Sequence, residues 1–128
     1  LYNRMLLELI IMLKIKKEKN SQYIVSLFQV TRINRLFTEL LSKELKELLS
    51  EPGIEVYFNL EGITFIDSEG FRVLMDADDF ASSNNSTLHL CNIGDELKEL
   101  FHLLSLEERF RICKKDIGKE KIRVEVEL

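Results

Sequence analysis

The hydrophobic pattern in the first part of the chain predicts two strands joined by a polar turn. Residues 5–17 are rich in leucine and isoleucine and alternate with polar residues near the end of the segment. Residues 23–28 are dense in aromatic and β-branched side chains, which favour extended backbone. Residues 18–21 between them are polar, so we expect an N-terminal hairpin.

The period then changes to that of a helix, and helices and strands alternate. Apolar residues from Phe37 to Leu49 predict an amphipathic helix that starts near Thr31 or Asn34 and stops at Pro52. Further strands are predicted at residues 54–60, 88–93 and 110–113, and further helices at 71–81 and 97–104. The predicted order is β-β-α-β-α-β-α-β, which implies an α/β fold with a mixed sheet.

The last residues form one more alternating pattern. Ile122, Val124, Val126 and Leu128 are separated by charged residues, which predicts an additional C-terminal strand. We therefore predict one domain over residues 5–113 and an extension over residues 114–128. Because an exposed strand edge can pair with another chain, this tail is a candidate contact for a homodimer.

Length and charge narrow the class of protein. The 128 residues correspond to one domain, and the 18 basic and 22 acidic residues give a net charge of −4. An acidic chain is a poor candidate for general binding to nucleic acid, because phosphate contacts require an excess of Lys and Arg. Two cysteines do not form a disulfide framework and fit a reducing compartment.

The chain carries no pattern that predicts insertion into a membrane. Its most apolar stretch, residues 5–13, includes Glu8 and is much shorter than the roughly 20 residues that span a bilayer. A lysine-rich segment follows, in place of the small residues of a signal-peptide cleavage site. We expect an intracellular, cytoplasmic protein.

The most informative segment is the junction between the third strand and the second helix. Asp67 and Ser68 follow the strand, and the helical pattern begins at once. One interpretation is that Ser68 caps the helix, since Ser and Asp side chains accept hydrogen bonds from the first helical amides. The other is that Ser68 is a phosphorylation site, because a helix N-terminus accommodates a phosphate charge.

Residues 62–74, GITFIDSEGFRVL, resemble the signature G-V-T-F-I-D-S-x-G-L-x-V-L of the STAS domain family (sulfate transporter and anti-sigma factor antagonist). The similarity extends over about residues 9–113, including the predicted strands and the leucine-rich helix that follow the signature. The resemblance implies a small mixed sheet with helices packed mainly on one face.

The resemblance also implies a function. In bacterial anti-sigma factor antagonists, the serine that matches Ser68 is phosphorylated by a partner anti-sigma factor, which is an ATP-dependent serine kinase. The unphosphorylated antagonist binds that kinase and frees the sigma factor, and a PP2C-type phosphatase removes the phosphate. By this resemblance the protein is a regulatory switch in transcription, neither an enzyme nor dependent on a cofactor.

The same resemblance suggests supporting groups for the phosphorylation site. Asp67 and Gly70 belong to the signature around Ser68, and Thr31 or Asn34 would supply the polar group of the loop after the second strand. We expect the surface around Ser68 and the second helix to contact the partner. Its expected contact residues are Glu69, Arg72 and Asp76.

A second hypothesis remains open. Glu69 stands where the antagonists usually carry a small residue, so a phosphate on Ser68 would have like charges on both sides. The chain could instead be a STAS scaffold or a transporter-associated interaction domain, in which Ser68 is only a helix cap.

Other chemistry has little support in the sequence. Asp76, Asp78 and Asp79 spread over more than one face of a helix, which favours a solvated or partner-facing surface over a metal site. His89 and His102 lack the partner spacing of zinc ligands. Phosphate-binding and dinucleotide-binding glycine motifs are missing from the sequence, so an enzyme is the least favoured class.

Overall fold

The structure is a computed structural model that describes residues 12–113, apart from the side chain of Leu36. Most of the predicted first strand (residues 5–11) and the predicted C-terminal strand lie outside the described residues. The homodimer contact and the division at residue 113 therefore stay predictions.

Three helices and seven strands form the described part of the chain. The helices are α1 (Arg35–Leu48), α2 (Ser68–Ser83) and α3 (Asp95–Leu103). The strands are β1 (Leu13–Lys17), β2 (Gln22–Leu27), β3 (Arg32–Ile33), β4 (Glu55–Asn59), β5 (Phe65–Ile66), β6 (Thr87–Cys91) and β7 (Arg111–Ile112).

The main sheet has five strands in the order β1-β2-β4-β6-β7. β1 and β2 form the predicted antiparallel hairpin. β4 pairs with β2, β6 with β4 and β7 with β6, all in parallel. This arrangement confirms the predicted mixed α/β sheet. The short strands β3 and β5 pair in parallel as a second, separate sheet.

The core lies between one face of the main sheet and the helices. Val25, Phe58 and Leu90 are level with one another in neighbouring strands, and all three are fully buried. The buried sides of the three helices belong to the same apolar cluster, which includes Leu41 of α1 and Leu74 of α2. Burial of this apolar surface is the main stabilising contribution to the fold, and it fixes α2 against the sheet.

Several predicted boundaries were wrong by a few residues. β1 begins at Leu13, so Met12 is not part of the strand. α1 begins at Arg35, directly after Asn34, whereas Thr31 precedes β3. β3 and β5 were not predicted, because a strand of two residues has no measurable alternation. None of the helices formed by residues 12–113 is long and apolar enough to cross a membrane.

Candidate functional site

Helix α2 begins with a side-chain cap from Asp67. The Asp67 backbone is extended, and its Oδ1 accepts a hydrogen bond from the Gly70 amide at 2.8 Å. This bond satisfies one of the first amides of the helix, which have no partner within the helix itself. The interpretation of Ser68 as the cap was therefore wrong, and the cap is its neighbour.

Ser68 is the first residue of α2 and is exposed to solvent. No residue in the range 12–113 forms a hydrogen bond with its hydroxyl group. Because the Asp67 carboxylate accepts the capping bond from Gly70, the Ser68 hydroxyl is not needed for that bond. The structure thus places an accessible hydroxyl beside the positive end of a helix.

The pair β3–β5 holds this junction against the rest of the fold. Ile33 is level with Ile66, and both side chains are buried. The Asp67 amide, one residue beyond β5, donates a hydrogen bond to the Ile33 carbonyl at 3.2 Å. The start of α2 is therefore anchored through its backbone to the segment that precedes α1.

Gly70 allows the first turn of α2 to pack closely on this pair. A Cβ atom at position 70 would lie 2.6 Å from Cγ2 of Ile66 and 3.1 Å from Cγ2 of Ile33. Real Cβ atoms essentially never approach other atoms as closely as 2.6 Å. The glycine of the signature is explained here by packing, since its φ angle is not among the positive ones.

Thr31 and Asn34, the two polar residues expected to support the phosphorylation site, lie at opposite ends of the β3–β5 pair. Ile33 pairs with Ile66, so Asn34 and Asp67, the residues that follow them, lie at the same end of the pair. Thr31 lies at the other end of the pair, where its carbonyl accepts hydrogen bonds from the amide and the hydroxyl of Thr64, at 2.7 and 3.3 Å. By position along the pair, Asn34 is the nearer of the two to Ser68.

The three residues expected to contact a partner form one ion-pair network on α2. Arg72 Nη2 and Nε donate to the two carboxylate oxygens of Glu69, at 2.8 and 3.2 Å. Arg72 Nη1 donates to Asp76 Oδ2 at 2.9 Å. All three side chains are about half exposed. The hydrogen bond from Arg72 lowers the pKa of the Glu69 carboxyl below its ordinary value.

An open surface groove of about 380 Å³ lies beside this network and is lined by residues of α1 and α2. α1 contributes Arg35, Thr38 and Glu39 to its walls, and α2 contributes Glu69 and Arg72. The expected contact residues Glu69 and Arg72 thus border a concave surface. Both charge signs are present on its walls.

An exposed cation–π pair lies near the site and was not predicted. The Arg32 guanidinium lies 4.6 Å from the centre of the Phe65 ring, across the β3–β5 pair. Both residues are exposed. No sequence signal identifies the pair, because the pairing of the two strands brings together residues more than thirty positions apart.

A second ion-pair cluster anchors the distal half of α2. Arg109, which precedes β7, donates to Asp78 Oδ2 at 2.6 Å and to Asp79 Oδ1 at 2.8 Å. The hydrogen bond to Asp78 is the main cause that raises the pKa of Arg109. Asp78 and Asp79, interpreted from the sequence as part of a solvated or partner-facing surface, are therefore linked to another segment of the chain.

His89 and Cys91 have structural contacts rather than the surroundings of a reactive site. The His89 ring stacks on Tyr57 at a centroid distance of 4.4 Å, and its Nε2 lies 3.3 Å from Glu55 Oε1. Cys91 is fully buried, and burial raises the pKa of its thiol. No group of three His, Cys, Asp or Glu residues within residues 12–113 is placed to hold a metal ion.

Comparison with known proteins identifies the family. The sequence profile of the STAS domain family matches residues 26–117, which is more than half of the chain. The chain therefore belongs to the STAS domain family, as the resemblance of residues 62–74 implied. A search of curated proteins found no significant match.

Solved structures of anti-sigma factor antagonists and of a sulfate transporter family protein share the fold. A putative anti-sigma factor antagonist from Thermotoga maritima is 18% identical, with a TM-score of 0.65 over 91% of this chain and 96% of the other. The Bacillus cell fate determinant SpoIIAA, solved in its phosphorylated form, is 13% identical, with a TM-score of 0.61 over 89% and 98%. A sulfate transporter family protein from Wolinella succinogenes is 16% identical, with a TM-score of 0.60 over 88% and 93%. At these identities the likeness establishes the fold alone.

Proposed function

We propose that this STAS domain is an anti-sigma factor antagonist that is switched off by phosphorylation of Ser68. In the unphosphorylated state, the surface around Ser68 and helix α2 binds an anti-sigma factor that is a serine kinase, and this binding releases the sigma factor. The domain is thus a binding protein and a kinase substrate rather than a catalyst.

The placement of Ser68 is the observation that carries this proposal. Its hydroxyl is exposed at the first position of α2, and Asp67 performs the capping that would otherwise occupy it. A kinase can therefore reach the hydroxyl without unfolding the helix. The SpoIIAA structure in a phosphorylated form supports the idea that this fold tolerates such a modification.

The chemical step transfers the terminal phosphoryl group of ATP. The Ser68 oxygen forms a bond to the γ-phosphorus, the bond to ADP breaks, and the hydroxyl proton passes to a base on the kinase. The phosphate adds about −1.5 to −2 charge next to Asp67 and Glu69. That charge weakens binding to the kinase, and a PP2C-type phosphatase reverses it by hydrolysis.

The test uses an anti-sigma factor kinase, which is sought first among the genes that neighbour this one. The protein is incubated with the kinase and ATP, and phosphate is located by mass spectrometry. We expect phosphate on Ser68, none in Ser68→Ala, and unchanged labelling in Ser82→Ala, which removes another exposed serine of α2. We also expect Ser68→Asp to weaken binding by at least tenfold. Binding without phosphate on Ser68, and full binding by Ser68→Asp, would overturn the switch.

A scaffold or transporter-associated domain is the second candidate. Glu69 favours it, because it follows Ser68 directly and adds a negative charge to the helix turn that would carry the phosphate. The similarity to the Wolinella sulfate transporter family protein is consistent with it. In this case Ser68→Ala and Ser68→Asp would bind the partner equally, and the neighbouring genes would encode transport components.

A further inference from the structure

The only basic residue of helix α2 lies on the same helical face as Ser68. Arg72 follows Ser68 by four positions, and side chains at this spacing are neighbours, with Cβ atoms about 5–6 Å apart. An acidic group four residues before a basic one is also the more favourable order on a helix. A phosphate on Ser68 would thus be formed within reach of the Arg72 guanidinium.

In the unphosphorylated protein, Arg72 is held by two carboxylates, each of which carries less charge than a phosphate. It bonds Glu69 on one side and Asp76 on the other, at distances of 2.8–3.2 Å. The side chains are 57%, 43% and 46% exposed, respectively, so water competes with each bond. Exposed ion pairs are weakened by solvent, so a more highly charged anion can compete with these carboxylates for Arg72.

A phosphate is a stronger partner for Arg72 than either carboxylate. It carries about twice the charge of a carboxylate and offers three acceptor oxygens to the planar guanidinium. The backbone offers it less, because the Gly70 amide already donates to the Asp67 carboxylate at 2.8 Å. Arg35 is the other guanidinium near the network, since its charge also lowers the pKa of Glu69.

We propose that Arg72 transmits the phosphorylation state of Ser68 along helix α2. The phosphate draws the guanidinium away from Asp76 and from Glu69, so both carboxylates lose their counter-ion. The change then reaches Asp76, two turns from Ser68, and the wall of the groove between α1 and α2, which Glu69 and Arg72 border. This inference rests on the proposed function, and it names the residue through which the partner surface changes.

The test installs the phosphate without a kinase. The full chain is produced with phosphoserine incorporated at position 68, and the second pKa of the phosphate is measured by phosphorus NMR. Because Arg72 stabilises the dianion, we expect this pKa to be higher in Arg72→Gln than in the otherwise unchanged protein, by about half a unit for an exposed pair. The Nε signal of Arg72 should also shift when the phosphate is present.

Two variants separate Arg72 from its surroundings. Arg35→Gln removes the other nearby guanidinium and should change the phosphate pKa less than Arg72→Gln does. Asp76→Asn removes a competitor for Arg72, so it should lower the phosphate pKa. In the Arg72→Gln background the same Asp76→Asn change should have a smaller effect, because no guanidinium remains there to be released.

The outcomes distinguish this inference from the proposed function. An unchanged phosphate pKa in Arg72→Gln, or an equal effect of Arg35→Gln, would overturn the role of Arg72, whatever a kinase does to Ser68. Conversely, a kinase that leaves Ser68 unmodified would contradict the proposed function. It would not affect the test of Arg72, because the phosphate in that test is placed during synthesis.

Discussion

Asp67 and Gly70 are joined by a hydrogen bond of 2.8 Å that runs from the Gly70 amide to the Asp67 carboxylate. The hydrogen bond thus joins two signature residues on either side of Ser68, and the Ser68 side chain is not part of it. Asp67 and Gly70 therefore have structural roles at the start of the helix, whereas Ser68 remains exposed. Removing either residue should therefore disturb the fold, and removing Ser68 should not.

The cap predicts a difference between neighbouring alanine substitutions. Asp67→Ala should lower the free energy of unfolding by about 1 kcal/mol, because an amide of α2 loses its partner. Asp67→Asn should retain most of the stability, since asparagine is an equally good cap. Ser68→Ala should stay within about 0.5 kcal/mol of the unmodified protein. Urea denaturation checks all three, and equal losses for Asp67→Ala and Ser68→Ala would contradict the assignment of the cap.

The close packing of Gly70 predicts a cost for the smallest possible side chain. Alanine favours a helix over glycine by about 1 kcal/mol, whereas overpacking costs about 1–3 kcal/mol. With Ile66 Cγ2 only 2.6 Å from the new Cβ, we expect the clash to prevail and Gly70→Ala to destabilise by up to about 2 kcal/mol.

A double-mutant cycle tests the cause of that loss. Ile66→Ala alone should cost about 2–5 kcal/mol, because it leaves a cavity in the core. In that background Gly70→Ala should cost less than it does in the unmodified protein, since the closest atom has been removed. Additive losses would show that the clash with Ile66 is not the reason for the glycine.

The sequence predicted the elements that carry a long pattern. Val56 and Phe58 alternate with Glu55 and Tyr57, and this period of two identified β4 correctly. The helical spacing around Leu41 likewise identified α1. Burial of one side imposes these patterns on β4 and α1, so they can be read without knowledge of the partner element. The residues 62–74 then identified the family.

The details of the site depended on contacts that no local pattern records. Asp67 and Ser68 are both good caps, so the sequence alone could not decide between adjacent positions. The contact of Arg109 with Asp78 joins residues 31 positions apart. In contrast, the bond of Arg72 to Asp76 spans four positions and could have been predicted from helical spacing.

The contact between Glu69 and Arg72 predicts a dependence on pH. The pKa of the Glu69 carboxyl is lowered in the folded state, chiefly by the hydrogen bond from Arg72. A lowered folded pKa means that this contact stabilises the fold above the unfolded pKa. The contribution is lost as the pH falls through the folded pKa.

Carboxyl carbon NMR of Glu69 in acid solution measures this shift directly. Arg72→Gln should raise the pKa of Glu69 towards its ordinary value. Arg35→Gln should raise it less, because the charge of Arg35 is the weakest of the causes that act on this group. A Glu69 pKa that does not change in Arg72→Gln would contradict the contact.

Arg109 predicts a stabilising link between α2 and the segment that enters β7. Its two carboxylate contacts lie at 2.6 and 2.8 Å, and only 29% of its side chain is exposed. Charge-assisted hydrogen bonds of this kind are stronger than neutral ones, and solvent reduces the contact to Asp79, which is 73% exposed. We expect Arg109→Gln to lower the free energy of unfolding by about 1–2 kcal/mol, chiefly through the loss of the bond to Asp78.

Arg111→Gln is the control for this prediction. Arg111 is exposed on β7, so its substitution should change stability by less than about 0.5 kcal/mol. If both substitutions had the same effect in urea denaturation, Arg109 would not anchor the helix.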